Sequence, residues 1–298
     1  MIKQNIRYVL LMVFASVSFT TGNAMAQALP RRSTNAQQAF DALYNSINRM
    51  VLGSGIDQPA FEARLRQITR VGGQEVTAVG EYKHSSGGRG LMRMNLRSPD
   101  EGKTSRFEQT CDGRLVWTRE EVGGDVRIRR VDVGRLDEFA PTTGIPPRLM
   151  VGGLPELLDA VAWDYDLKLT KANLREEQMV WVVRGELKQQ KLDELLEQSG
   201  ASELPPEMPS RVRIGLLQDG PFAWLPVRIE FFAGKGSQFT APAISELDVY
   251  DMKSIPTPRE ETFRYNTKEG ALFTNETQQY LERYRIRFAS REARSMMR

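Results

Sequence analysis

One cysteine, Cys111, and one histidine, His84, are all that 298 residues contain of these two types. A lone thiol excludes an internal disulfide, so packing alone has to hold the fold. One imidazole and one thiol are also too few for ordinary nitrogen and sulfur coordination of zinc, which sets aside catalysis of that kind. Neither sign of charge is in large excess: 41 Lys and Arg face 38 Asp and Glu. The two signs are mixed along the chain, so the pI of 9.0 predicts no nucleic-acid partner. The apolar run Tyr8 to Phe19 is about a dozen residues, where a membrane-spanning helix needs roughly 20. Internal repeats and a βαβ rhythm are lacking as well.

That apolar run has another use. Lys3 and Arg7 precede it and Ala24-Met25-Ala26 follows it, the pattern of an export signal cut after Ala26. Cleavage removes two bases and no acid, leaving 39 against 38, a mature charge of about +1. No cysteine stands at the junction to carry a lipid anchor, so the expected product is a soluble periplasmic protein. Residues 27–35 form a polar leader, 36–270 one β-rich domain and 271–298 a basic C-terminal extension.

Ala36, Phe40, Leu43, Tyr44, Ile47 and Val51 recur at helical spacing until Gly53 and Gly55 end the pattern. Beyond Phe61 the period falls to two. In GLMRMNLR, Met92, Met94 and Leu96 share one face and Arg93, Asn95 and Arg97 the other. RVRIGLL, PVRIEFF and ETFRYN alternate in the same way. Strict alternation favours antiparallel strands with one covered face, since buried parallel strands are apolar on both. Gly72-Gly73, Ser85 to Gly88, Asp112-Gly113, Gly123-Gly124 and Asp219-Gly220 supply hairpin turns. Two helices interrupt the strands: GGLPELLDAVAW, with Leu154, Leu157, Leu158 and Val161 on one stripe, and KQQKLDELLEQSG, a charged surface helix. After Gly270 the chain predicts a basic helix with a frayed end, a solvated extension rather than a docking arm.

Candidate chemistry is sparse. His84 in KHSSGG is expected in an exposed loop, and Cys111 as a small buried hydrophobe. Glu120-Glu121, Glu176-Glu177 and Glu260-Glu261 are neighbours that point to opposite faces of a strand, so solvated carboxylates are expected and no acid–base pair. No cofactor is expected. Asn275-Glu276-Thr277 fits a glycosylation sequon.

The segment CDGRLVWTR resembles the "SDG-x-x-LW-x-Y" signature of periplasmic lipoprotein carriers of the LolA type. The order around it is similar too: a helix over Phe40 to Val51, a strand with Phe61 and Gln67, Gly80-Glu81-Tyr82, then Leu91 to Asp100 ending in Ser98-Pro99-Asp100-Glu101. The match covers residues 36–133, with looser correspondence at Pro155 to Val161, Leu225 to Phe232 and Leu247 to Tyr265. The resemblance implies an α+β fold, a strongly twisted antiparallel sheet forming an incomplete β-barrel whose concave face is covered by helices. It further implies a pocket for the acyl chains of lipoproteins or lipids. The family's "RP-x-x-F-R-W" strand is replaced by GRGLMRMNL, which makes Arg89 the nearest counterpart of its lid-latching arginine.

The pocket region is expected among Leu91, Met92, Met94, Leu96, Trp117, Leu154, Leu157, Leu158 and Val161, pooled because the sequence does not fix which strand face looks inward. The function expected is that of an exported, non-enzymatic binding protein for acyl chains, a carrier or chaperone. A second reading is an envelope lipid-stress sensor that uses the same fold to bind a membrane protein. A hydrolase that uses His84 as its base is the third.

Overall fold

The computed structural model describes residues 34–53, 60–85, 87–98, 105–137, 145–174, 178–199, 205, 208–234, 239, 241–266 and 271–284. The export signal and cut site, the leader before Thr34, Glu176-Glu177 and the arginines from Arg285 onward lie outside them.

Helix α1 (Thr34–Leu52) opens the fold and ends at Gly53, whose φ of 78° suits a residue without a Cβ. Leu43, Ile47 and Val51 of the expected stripe are buried, while Phe40 and Tyr44 flank it, their rings stacked 4.5 Å apart. Six strands follow: β1 (Ala60–Val71), β2 (Gln74–Ser85), β3 (Leu91–Ser98), β4 (Ser105–Asp112), β5 (Leu115–Val122) and β6 (Asp125–Asp132). A short α2 (Gly134–Asp137), a 3-10 turn (Pro147–Met150) and α3 (Gly153–Asp164) lead into β7 (Tyr165–Leu174) and β8 (Gln178–Leu187). The surface helix α4 (Gln189–Ser199) precedes β9 (Pro209–Leu217), β10 (Pro226–Ala233) and β11 (Ser245–Ile255). A second 3-10 turn (Glu260–Phe263), the two-residue β12 (Thr274–Asn275) and α5 (Thr277–Arg283) close the chain.

Two antiparallel meanders, β1 to β6 and β7 to β11, are joined where β11 pairs with β1, giving one sheet of 12 strands in the order β12-β6-β5-β4-β3-β2-β1-β11-β10-β9-β8-β7. Its outer strands do not pair with each other, so the barrel stays open. One end is capped by β12, which runs parallel to β6 at Arg129 and Arg130. At the other end Asn35 of α1 acts as a substitute strand: its amide donates to the Leu169 carbonyl (3.0 Å) and accepts from the Leu169 N–H (2.8 Å).

The register explains the sequence alternation. One face carries Phe61, Leu65, Tyr82, Met92, Met94, Leu96 and Phe107, continued by Val183, Val212, Ile214, Ile229 and Leu247, all buried beneath α1 and α3. The convex face carries ion pairs that run across strands. Asp248 of β11 accepts from Arg66 of β1 (3.1 Å) and Arg228 of β10 (2.8 Å), and Glu230 takes both arms of Arg213. Apolar side chains therefore face the helices, and long arginines and acids cover the outside.

Three expectations are corrected here. ETFRYN is no strand: it follows Pro256 and Pro258, forms the second 3-10 turn, and lays Phe263 and Tyr265 on the convex face without joining the ladder. The segment after Gly270 is no solvated extension as far as Tyr284, because Thr277, Tyr280 and Leu281 are buried. Finally, Glu120 is not solvated; it is buried on the helix-covered face and paired with Arg129.

Candidate functional site: the concave face and its helical plug

The concave face converges on the start of α3. Gly152 and Gly153 carry φ values of 91° and 62°, a left-handed pair that turns the chain into the hollow. Neither position has room for a side chain. A Cβ on Gly152 would stand 2.4 Å from Cε of Met92, and one on Gly153 would stand 3.0 Å from the Tyr82 ring. Side chains satisfy the backbone donors exposed at this helix start: Gly152 N–H donates to Oε2 of Glu156 and Gly153 N–H to Oε1 of Gln109, both at 2.7 Å. Gln109 is held in turn by its own donation to Thr118 (3.0 Å).

Leu154, Leu157, Leu158 and Val161 are all buried on α3. Met92, Met94 and Leu96 belong to the same face of β3 and are buried in the same cluster. The structure thus brings seven of the pooled residues together. It places the other two elsewhere: Leu91 pairs with Ser85 and Asp112, one position out of phase with Met92, and Trp117 pairs with Thr110 and Arg130 on the convex face. There Trp117 stacks on Tyr265 (5.3 Å) and meets Phe273 edge-on (5.2 Å), under the Arg130 guanidinium. Period-two alternation separates two faces but does not say which is inside, and both faces of β5 carry an apolar residue at this level.

Arg89 is exposed in the β2–β3 turn and pairs with Glu260 of the second 3-10 turn, on the convex side. Beside it, Gly88 is tied to the helices, donating to the Val51 carbonyl (2.9 Å) and accepting from Arg148 (2.9 Å).

His84 is a core residue, which overturns the exposed loop: β2 runs through to Ser85 and the ring lies among Phe61 (6.0 Å) and Tyr82 (5.9 Å). Burial lowers its pKa to about 4, so the imidazole is neutral near pH 7. Cys111 is fully buried two residues before the Gly113 turn, and burial pushes its thiol up to about 12, as a packing residue rather than a nucleophile. Among the described residues no group of three or more His, Cys, Asp and Glu side chains is placed to hold a metal ion. No helix of these residues is long and apolar enough to cross a membrane.

The sequence pattern missed a polar cluster on the other side of α3. Glu156 and Asp159 sit one turn apart and are buried, Asp159 completely. Tyr280 donates to Glu156 (2.7 Å), while Arg283 (3.0 Å), Tyr284 (3.3 Å) and Tyr44 (3.1 Å) donate to Asp159. Burial raises the Asp159 carboxyl above its usual range, against the pull of Arg283 and the phenols. The spacing of Tyr280, Arg283 and Tyr284 at i, i+3 and i+4 was the available signal, hidden because it is aromatic and basic where a core stripe is aliphatic.

No protein-family profile matches the chain, and no curated protein does. Solved structures do resemble it. One is a DUF1329 family protein from Desulfovibrio piger (9% identity, covering 78% of this chain and 98% of that chain, TM-score 0.34). Another is a putative outer membrane lipoprotein-sorting protein domain from Vibrio parahaemolyticus (12% identity, 77% and 97%, TM-score 0.34). A third is a LolA superfamily protein from Nitrosomonas europaea (12% identity, 78% and 99%, TM-score 0.28).

Proposed function

We propose that the protein is an exported, non-enzymatic binding protein for the acyl chains of lipids or lipoproteins, cut after Ala26 and working in the periplasm. The observation that carries this reading is the way the concave face is covered. An open sheet with an apolar inner surface is closed by separate helices and not by a second sheet, and α3 enters through two adjacent glycines in left-handed conformation. A helix that swings on such a pair would uncover Met92, Met94, Tyr82 and Phe107 together. Their burial against an acyl chain is worth about 25 cal/mol per Å² of apolar surface, and unbranched methionines adapt to irregular chains. The convex face carries arginine–carboxylate ladders, and its aromatic cluster of Trp117, Tyr265 and Phe273 lies under the Arg130 guanidinium.

Burial of His84 out of reach of a substrate, with its pKa lowered to about 4, makes it a poor general base and supports a binding role over hydrolysis. On this reading a further partner is an envelope membrane protein that delivers or receives the cargo.

Native mass spectrometry of protein purified from its own envelope should show acyl-bearing adducts. A diazirine fatty acid should label β3 or α3. Protein that carries no lipid and takes label only on convex residues such as Trp117 would overturn the proposal.

A further inference from the structure

We infer that α5 is a strap, fastened at one end to the sheet edge and at the other to α3, and that release of its polar clasp frees α3 from the concave face. The inference builds on the reading of α3 as a displaceable plug and names what controls it.

The sheet end of the strap is built from backbone. Thr274 and Asn275 pair with β6, Glu276 N–H donates to the Arg130 carbonyl (2.9 Å), and Asp132 N–H donates to Oγ1 of Thr277 (2.9 Å). Seven residues of helix then cross to α3, too few to be stable alone, so contacts with the rest of the fold hold α5 helical. Tyr280 and Leu281 are buried in the apolar core, and a set of polar contacts runs beside them. Tyr280 reaches Glu156, and Arg283 reaches both Asp159 (3.0 Å) and Glu156 (3.5 Å). Tyr44 of α1 and Tyr284 close the same carboxylate, and Trp163 donates to the Tyr44 hydroxyl (3.1 Å). One side of α3 is thus packed by apolar side chains against the sheet, and its opposite side is clasped by phenols and a guanidinium.

The two sides differ in what their rupture costs. Separating an apolar seam exposes surface that water does not repay, whereas freed carboxylates, phenols and a guanidinium are rehydrated. A ligand that replaces the sheet seam leaves two restraints on α3, its packing against α1 and the clasp. Arg283 is the central group of the clasp because it reaches both acids, and removing it leaves Asp159 buried without this cation.

The test uses hydrogen exchange of the full chain without lipid, followed by uptake of a fluorescent fatty acid. Arg283→Gln and Tyr280→Phe, the second of which keeps the ring volume, should each speed exchange of α3 amides at least tenfold while β3 and β4 stay protected. Fatty-acid uptake should accelerate in parallel. Unchanged α3 exchange in both variants would overturn the strap, as would strand exchange rising in step with α3, which would make α5 a core element. Faster α3 exchange with no uptake by any of the proteins, wild type included, would support the strap and reject the carrier reading.

Discussion

Gly152 lies so close to Met92 that a single added methyl would stand 2.4 Å from its Cε, at a backbone φ of 91°. The two penalties are separable. Left-handed strain in a residue with a Cβ costs about 1–3 kcal/mol, whereas the steric contact involves the far end of a flexible side chain that shifts at smaller cost. Gly152→Ala should therefore lower the thermal midpoint, and Met92→Ala in the same chain should not restore it. Full recovery in the double variant would show that crowding, not backbone conformation, keeps this position glycine.

A second prediction concerns acid. His84 titrates near 6.5 when unfolded and near 4 when folded, so between those values the unfolded chain binds more protons and stability rises with pH. The contribution is complete above pH 6.5 and is lost as pH falls through 4, with a total of about 3 kcal/mol from the shift. Replacing His84 by Leu should flatten the stability profile across this window relative to wild type, as measured by urea unfolding at several pH values. Parallel profiles for the two proteins would mean that the imidazole is hydrated in the folded state.

The convex ladders give a third. Asp248 joins three strands by accepting from Arg66 and Arg228, and it sits where β11 bridges the two meanders. Its loss removes hydrogen bonds to charged groups, each worth about 1.5–3 kcal/mol net. Asp248→Ala should lower the urea midpoint by more than Glu75→Ala, whose partner Arg70 is tied to an exposed acid. Equal effects would show that the ladder is solvated decoration.

Much of this architecture was legible because local chemistry and global fold agree. Met92, Met94 and Leu96 alternate with Arg93, Asn95 and Arg97, and each set lies on its own face. Gly72-Gly73 and Gly123-Gly124 fall between consecutive strands and Asp112-Gly113 at the end of β4, as Gly and Asp-Gly chemistry requires. Helices α1 and α3 start and stop within three residues of their apolar stripes. What was hidden is non-local. Alternation around Trp117 does not reveal that Tyr265 and Phe273 arrive on its side from well over a hundred residues away. His84 looks like loop because Ser85 to Gly88 follows it, yet its pairing with Phe61 and Met92 is set by neighbouring strands. The clasp on α3 depends on Arg283 meeting an acid 124 positions earlier, which no window of sequence contains.

Gly80 is a point of close approach between β2 and β3, and its replacement should open the seam between them. A Cβ at Gly80 would lie 1.8 Å from the carbonyl oxygen of Asn95 on the neighbouring strand. Unlike the Met92 methyl, that atom belongs to the backbone of β3 and is fixed by pairing on both sides, to β2 and to β4. A glycine in mid-strand marks such a close approach. Relief in Gly80→Ala requires β3 to move away from β2, which opens the seam carrying Tyr82, Met94 and Leu96. The expected cost is at the upper end of overpacking, about 3 kcal/mol, and the loss should fall on exchange protection of β2 and β3 before β8 and β9. If Gly80→Ala melted like wild type with β2 and β3 still protected, the close approach of these strands would not be what excludes a side chain here.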